Sequence, residues 1–224
     1  MHKNIKLSAS LMCADWLNLK NQINELEQNK IDYIHYDIID GRYAPDFTMG
    51  SSIVDTVRNF TKLPGHYHLM VEEPMRIFDR FNLNKNDIFT IHQETSKNLH
   101  RDIIEVKKKA KVALALSPAT PLEHIEYVLE DVENILLLTV NPGFMSQKMI
   151  PQIVRKIDNL RNTIDKMKLN ISITVDGNVN KNTIPDFLKA GAKILVLGSS
   201  GLFIKNLSIK EAVEQVHEAI DKVF

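Results

Sequence analysis

His35 and Asp37 stand two residues apart in the apolar run Ile34-His35-Tyr36-Asp37-Ile38-Ile39, which breaks at Asp40-Gly41. Successive side chains of an extended segment point to opposite faces, so residues i and i+2 share one face about 6.6 Å apart. An imidazole and a carboxylate placed that way can hold a metal ion or move a proton at one small target. Residues of the same chemistry, His66, His68 and Asp176, occupy other apolar runs. His35, Asp37, His68 and Asp176 together make an N2O2 set, an ordinary donor combination for zinc, iron, cobalt or manganese. His66 faces the same way as His68, so spacing leaves open which of the two is a ligand. His92, two residues before Glu94, reads equally as a hydrogen-bonded rim residue and as a functional one. His2, His100, His124 and His217 fall at the terminus or in helical stretches and are expected to be solvated.

Glycine-containing segments supply a second chemical signal. Asn141-Pro142-Gly143-Phe144, Asp176-Gly177-Asn178 and Gly198-Ser199-Ser200-Gly201 each follow an apolar run. Loops of this kind present backbone N–H groups, often with a helix N-terminus behind them, and so suit a phosphate. A phosphorylated substrate is therefore expected.

Groups so distant in sequence need a scaffold that gathers them. Short apolar runs recur at residues 5–11, 33–38, 65–70, 88–91, 111–116, 134–140, 170–175 and 193–197, with helical stretches between them. Alternation of this kind argues for βαβ units and a parallel sheet. Asp15 is expected to cap a helix carrying Leu19, Ile23 and Leu26, and Pro151 fits the first turn of one carrying Ile153, Ile157 and Leu160. Pro74 and Pro185 fit early helical positions, and residues 208–224 form a last helix with Ala212, Val213, Val216 and Ile220 as its buried stripe. Eight strand–helix pairs without a Gly/Ser-rich linker match a (β/α)8 TIM barrel occupying residues 1–224 as a single domain. No G-x-G-x-x-G follows the first run, which disfavours a dinucleotide-binding sheet. Barrel enzymes build their sites at strand C-termini, where Ser8, Ser10, His35, Asp37, His66, His68, His92, Glu94, Asn141, Asp176, Ser199 and Ser200 all fall.

Composition narrows the partner. Lys plus Arg and Asp plus Glu number 28 each, and no basic cluster interleaves with aromatics, so a nucleic-acid partner is not expected. The 224 residues are 44% hydrophobic, enough for a sizeable core, yet no apolar run reaches the roughly 20 residues that span a bilayer. One cysteine, Cys13, excludes an intramolecular disulfide and fits a reducing compartment, and residues 1–7 turn polar too soon for a signal peptide. A soluble cytoplasmic protein is expected.

The chain resembles the ribulose-phosphate 3-epimerase family over nearly its whole length. The resemblance is carried in order by Ser8-Ala9-Ser10-Leu11-Met12-Cys13-Ala14-Asp15, His35-Tyr36-Asp37 through Asp40-Gly41, His68-Leu69-Met70, Ser117-Pro118-Ala119-Thr120-Pro121, Val140-Asn141-Pro142-Gly143-Phe144 and Val175-Asp176-Gly177. Within it, Ser10-Leu11-Met12-Cys13, His92-Gln93-Glu94-Thr95 and Ser200-Gly201-Leu202-Phe203 look more like the D-allulose-6-phosphate 3-epimerase branch. The resemblance implies one divalent metal on His35, Asp37, His68 and Asp176, with Asp37 and Asp176 also the proton-transfer pair. It implies inversion of C3 through a metal-stabilised enediolate, with D-allulose 6-phosphate/D-fructose 6-phosphate placed ahead of D-ribulose 5-phosphate/D-xylulose 5-phosphate. A homo-oligomer is implied in the same way.

Ser10 matches the family's substrate-contacting serine and Met70 a methionine lining its site. His68, Gly143, Phe144, Met145, Ser146, Gly177, Asn178, Gly198, Ser199 and Ser200 complete the expected substrate contacts. Departures are specific to this chain: Met145-Ser146 replace two usual glycines, Asn178 replaces another, Ile39 and Leu138 replace methionines, and His66 stands where an acidic residue is usual. A histidine at 66 is expected to change the hydrogen bonding behind the ligands and with it metal preference. Two other functions compete: a catalytically idle phosphosugar-binding barrel, and a lyase or decarboxylase, disfavoured because Lys181 and Lys193 are poorly placed for strand-end chemistry.

Overall fold

Eight parallel strands close on themselves in sequence order, each bonded to the next and β8 back to β1. They are β1 (Lys6–Ser10), β2 (Tyr33–Ile39), β3 (Gly65–Met70), β4 (Ile88–His92), β5 (Lys111–Leu116), β6 (Asn134–Leu138), β7 (Ser172–Asp176) and β8 (Ile194–Leu197) in a computed structural model that describes residues 5–224. The barrel read from alternation is therefore the observed fold. The expected solvation of His2 lies outside the described residues.

The surrounding layer departs from eight equal pairs. Among the described residues six α-helices pack outside: α1 (Leu19–Gln28), α2 (Ser51–Phe60), α3 (Leu99–Lys109), α4 (Ile153–Lys166), α5 (Ile184–Lys189) and α6 (Ile209–Asp221). Between β3 and β4 the chain makes only two short 3₁₀ turns, Pro74–Arg76 and Phe78–Arg80. Between β5 and β6 lies a ten-residue 3₁₀ segment, Leu122–Asp131. Its apolar residues Leu122, Ile125 and Val128 recur every third position, which fits three residues per turn better than the α-helical period.

Local start signals were legible with small displacements. Asp15 does not cap α1; its carboxylate accepts from the Leu17 N–H at 3.1 Å in an Asx turn, and the helix begins three residues later behind Asn18. Pro151 precedes α4, which starts at Ile153, while Pro185 sits in the first turn of α5. Ser208 and Glu211 form a reciprocal capping box on α6, whose buried stripe includes Ala212, Val213, Val216 and Ile220.

Alternation along the strands divides two apolar environments. On β2, Ile34, Tyr36 and Ile38 belong to the main core beneath the helices, leaving His35 and Asp37 for the lumen. The lumen is layered. Near the strand N-termini Ile88, Ala113 and Ile194 pack together with Tyr33; higher up come Ala115, Leu136 and Leu138, and at the mouth Ile39, Ala44 and Met70. Polar groups between these layers pair internally: Ser8 Oγ lies 3.2 Å from His66 Nδ1, and Asn134 Nδ2 donates to Thr174 Oγ1 at 2.8 Å.

The N-terminal rim is tied by Asp87, whose side chain is fully buried. Its oxygens accept from Arg58 at 2.8 and 3.1 Å and from the Gly65 and Asn84 N–H groups at 2.8 Å each. Removing a buried acceptor strands all of these donors at once. The Asp87→Ala variant is expected to lose about 2–4 kcal/mol of unfolding free energy in urea titration; an unchanged midpoint would show that the cluster contributes no net stability.

Candidate metal centre

The pairing of β2 with β3 sets Asp37 directly beside His68, and His35 beside His66. His35 and Asp37 point into the lumen from β2, His68 arrives from β3, and Asp176 arrives from the last residue of β7. One donor atom from each of these four residues lies within 4.8 Å of all the others. His35 Nε2 is 3.3 Å from Asp37 Oδ1 and 3.4 Å from Asp176 Oδ2; His68 Nδ1 is 3.5 and 3.2 Å from the same two oxygens.

These nitrogens lie among the carboxylate oxygens without making hydrogen bonds to them. His35 Nε2 and His68 Nδ1 are buried polar atoms with no hydrogen-bond partner. Buried polar groups are normally satisfied, so two unpartnered imidazole nitrogens facing two carboxylates are the pattern left by a shared cation. Charge supports the same fit. Burial opposes the imidazolium of His35, but the Asp37 and Asp176 carboxylates outweigh it and lift its pKa to about 10. Burial likewise opposes the Asp37 carboxylate, and His35 and His68 hold it well below the usual range. Carboxylates that draw protons so strongly onto imidazoles would bind a dication in their place, and the donor set fits one.

His66 stays outside this cluster. It lies one pleat deeper, with Nδ1 facing Ser8 and its ring edge-on to His35 at 4.6 Å between centroids. Burial, followed by the neighbouring His35 and His68 charges, pushes its pKa well down. His92 sits behind His68 with its Nε2 2.9 Å from His68 Nε2, while His100, His124 and His217 are exposed as expected.

A pocket opens above the cluster, with Asp37 and Asp176 in its lining. Ser10 stands beside them and donates to Asp37 Oδ2 at 2.6 Å. Ile39, Met70 and Leu138 form apolar wall. The β6–α4 loop contributes Gly143, Phe144, Met145 and Ser146, the β7–α5 loop Gly177 and Asn178, and the β8–α6 loop Gly198, Ser199 and Ser200. Every residue expected to touch substrate, His68 excepted, therefore lines one cavity; His68 lies beneath it at the cluster.

Two of the three departures from glycine in these loops take the left-handed backbone that glycine favours. Ser146 and Asn178 adopt left-handed φ values of +62° and +49°, so the chain keeps its turn at both places. Ser146 Oγ lies 3.3 Å from Ser199 Oγ, joining two loops, and Gln147 Nε2 donates to the Asn141 and Phe144 carbonyls at 2.6 and 2.9 Å. Gly177 cannot be replaced so easily: with φ +106°, an added Cβ would meet Val140 Cγ2 at 2.6 Å.

Other groups had no readable signal. Thr48 donates to the Asp37 carbonyl and Thr139 to the Gly177 carbonyl, fixing backbone beside each aspartate. Tyr43, in the β2–α2 loop, places its hydroxyl 2.9 Å from His92 Nδ1 and 2.7 Å from Ser117 Oγ. Asp40 organises that loop by accepting from the Arg42 and Tyr43 N–H groups at 2.9 and 3.1 Å, a turn that Asp40-Gly41 did foreshadow.

Known proteins agree with this architecture. The Ribulose-phosphate 3 epimerase family model matches residues 6–203. The ribulose-phosphate 3-epimerase of Bacillus subtilis is 42% identical over 198 residues, covering 88% of this chain and 91% of that protein. The ribulose-phosphate 3-epimerase of Methanocaldococcus jannaschii is 40% identical over 216 residues, covering 96% and 91%. Among solved structures, 3-hexulose-6-phosphate synthase from Salmonella typhimurium has a TM-score of 0.66 at 15% identity, covering 98% of this chain and 100% of that one, a likeness of fold alone. Taken with the barrel and the strand-end cluster, the family match and the two close relatives show that the chain belongs to the ribulose-phosphate 3-epimerase family.

Proposed function

We propose that this protein is a metal-dependent ketose-phosphate 3-epimerase in which Asp37 and Asp176 transfer the protons. The observation that carries the reading is the convergence of two imidazoles and two carboxylates at the floor of a pocket whose rim consists of glycine-containing loops. His35, Asp37, His68 and Asp176 would hold the metal. When bound, a divalent cation supplies positive charge against the negative charge that develops on the substrate's C2 and C3 oxygens.

The chain's own groups provide the rest. Epimerisation at C3 needs a base on one face of a planar enediolate and an acid on the other. Asp37 reaches the pocket floor from β2 and Asp176 from β7, so the two carboxyl groups approach from different strands. One takes the C3 hydrogen as a proton and the other, protonated, returns one to the opposite face. Their roles exchange with the direction of reaction. Ser10 bonds the Asp37 oxygen turned away from the histidines, restricting the carboxylate to one orientation. Ile39, Met70 and Leu138 give the floor an apolar wall, which strengthens electrostatic interactions by limiting water.

Among the described residues lining this pocket there is no lysine or arginine. The phosphate would therefore rest on backbone N–H groups and the hydroxyls of Ser146, Ser199 and Ser200. The known relatives bear on substrate length. The resemblance of three segments to the allulose-phosphate branch favours a hexulose phosphate, but the 42% and 40% identical relatives are named ribulose-phosphate 3-epimerases. We accordingly place D-ribulose 5-phosphate/D-xylulose 5-phosphate first and D-allulose 6-phosphate/D-fructose 6-phosphate second.

In deuterated water, the metal-loaded protein is expected to exchange the C3 hydrogen of D-ribulose 5-phosphate faster than that of D-allulose 6-phosphate at equal concentration. Faster hexulose exchange would reverse the substrate order, and binding of both without exchange would identify an idle phosphosugar-binding barrel. Asp37→Asn and Asp176→Asn should each lower kcat by about 10²- to 10⁴-fold with circular dichroism unchanged; turnover near wild type in either would refute the two-carboxylate assignment. Dialysis against a chelator should abolish activity and lower Tm, and zinc, manganese, cobalt or iron(II) should restore both. Full activity in protein shown by elemental analysis to be metal-free would remove the metal from the mechanism.

A further inference from the structure

Behind His68 runs a chain of polar contacts that the proton-transfer chemistry does not use. His68 Nε2 lies 2.9 Å from His92 Nε2, and the two rings stack with centroids 5.0 Å apart. His92 Nδ1 lies 3.1 Å from Glu94 Oε2 and 2.9 Å from the Tyr43 hydroxyl. The other Glu94 oxygen accepts from the Ser117 N–H at 2.8 Å and from the Thr120 hydroxyl. Both imidazoles are fully buried, so water does not compete for their nitrogens.

The direction of each bond follows from counting protons. The Nδ1 of His68 faces the carboxylates of Asp37 and Asp176, so metal binding there uses its lone pair. A neutral His68 must then carry its proton on Nε2, the atom facing His92. Only one proton fits between two ring nitrogens 2.9 Å apart, which makes His92 Nε2 the acceptor. A neutral His92 accordingly carries its proton on Nδ1 and donates it toward the Glu94 carboxylate and the Tyr43 oxygen. Tyr43 keeps its own proton for Ser117 Oγ at 2.7 Å. With His68 Nδ1 given to a metal, every donor in the chain meets an acceptor in this arrangement.

We propose that His92 is a positioning residue, anchored by Glu94 and Tyr43, that holds His68 in the one tautomer whose Nδ1 can bind metal. The inference rests on the reading of His68 as a ligand. It also assigns a task to the β2–α2 loop: Tyr43 stands on that loop and contacts His92, so loop placement and ligand placement are linked through one ring. A group hydrogen-bonded behind a metal-binding histidine raises its basicity and fixes its orientation, and losing such a group typically weakens metal binding about 10- to 100-fold.

Cobalt(II) is the probe. Full-length wild type, His92→Leu and His92→Gln are stripped of metal and titrated with cobalt(II) against a chromophoric chelator, with the visible cobalt spectrum recorded. Wild type is expected to bind, His92→Leu to bind about 10- to 100-fold more weakly, and His92→Gln, whose amide supplies both an acceptor and a donor, to stay within about threefold of wild type. A merely structural role would lower Tm without moving affinity or spectrum. Cobalt affinity of His92→Leu equal to wild type overturns the proposal. Failure of wild type itself to bind cobalt defeats the ligand reading first and this inference with it. Should His92→Leu not fold, nitrogen-15 spectra of zinc-loaded wild type decide the matter: protons on His68 Nε2 and His92 Nδ1 support the proposal, and a proton on His92 Nε2 overturns it.

Discussion

Two carboxylates held side by side in a closed barrel form an arrangement that cannot persist uncompensated. Asp37 and Asp176 face the same pair of imidazole nitrogens at 3.2–3.5 Å, and neither nitrogen makes a hydrogen bond to them. Burying one charge is costly and burying two like charges more so, unless positive charge lies between them. Without a cation the only positive charge available is a proton on imidazole, which is why the pKa of His35 rises against its burial. A divalent ion would meet the same electrostatic demand.

The barrel exists around that demand in a definite order. The β2–β3 register puts Asp37 beside His68, and closure of the sheet brings β7 round to supply Asp176. Beneath the cluster the lumen is filled by matched polar pairs, Ser8 with His66 and Asn134 with Thr174, and by Ile88, Ala113 and Ile194. Packing from below fixes the height of the cluster, while Ser10 and the threonines at 48 and 139 fix the aspartates and the backbone around them from above. Rigid support on both sides is what holds catalytic groups close to working geometry.

The loops carry what the strands cannot. They bring hydroxyls and N–H groups over the mouth, and through Tyr43 and Ser117 they connect with the polar chain behind His68. Ser146 and Asn178, which stand where the family usually has glycines, adopt the left-handed backbone that glycine favours. Asn does so at little cost because its short polar side chain tolerates that region. Gly177 has no such latitude, since Val140 and Thr139 occupy the space a side chain would need.

Local periodicity determined the parts of this protein that depend on neighbours along the chain. Alternation along residues 33–39 put His35 and Asp37 on one face, and the recurrence of apolar runs with helical stretches between them called for the barrel. The glycine loops and the early helical position of Pro185 were legible because they depend on residue type within a single turn. Periodicity fixes only which face a side chain takes, not its height in the lumen or what it meets across it. The grouping of His68 rather than His66 with the cluster, the arrival of Asp176, and the place of His92 and Tyr43 behind His68 all required strand register and closure of the sheet. The same limit applies to the β5–β6 crossover: the three-residue repeat of Leu122, Ile125 and Val128 lies close enough to the helical period to read as helical, whereas the segment is 3₁₀.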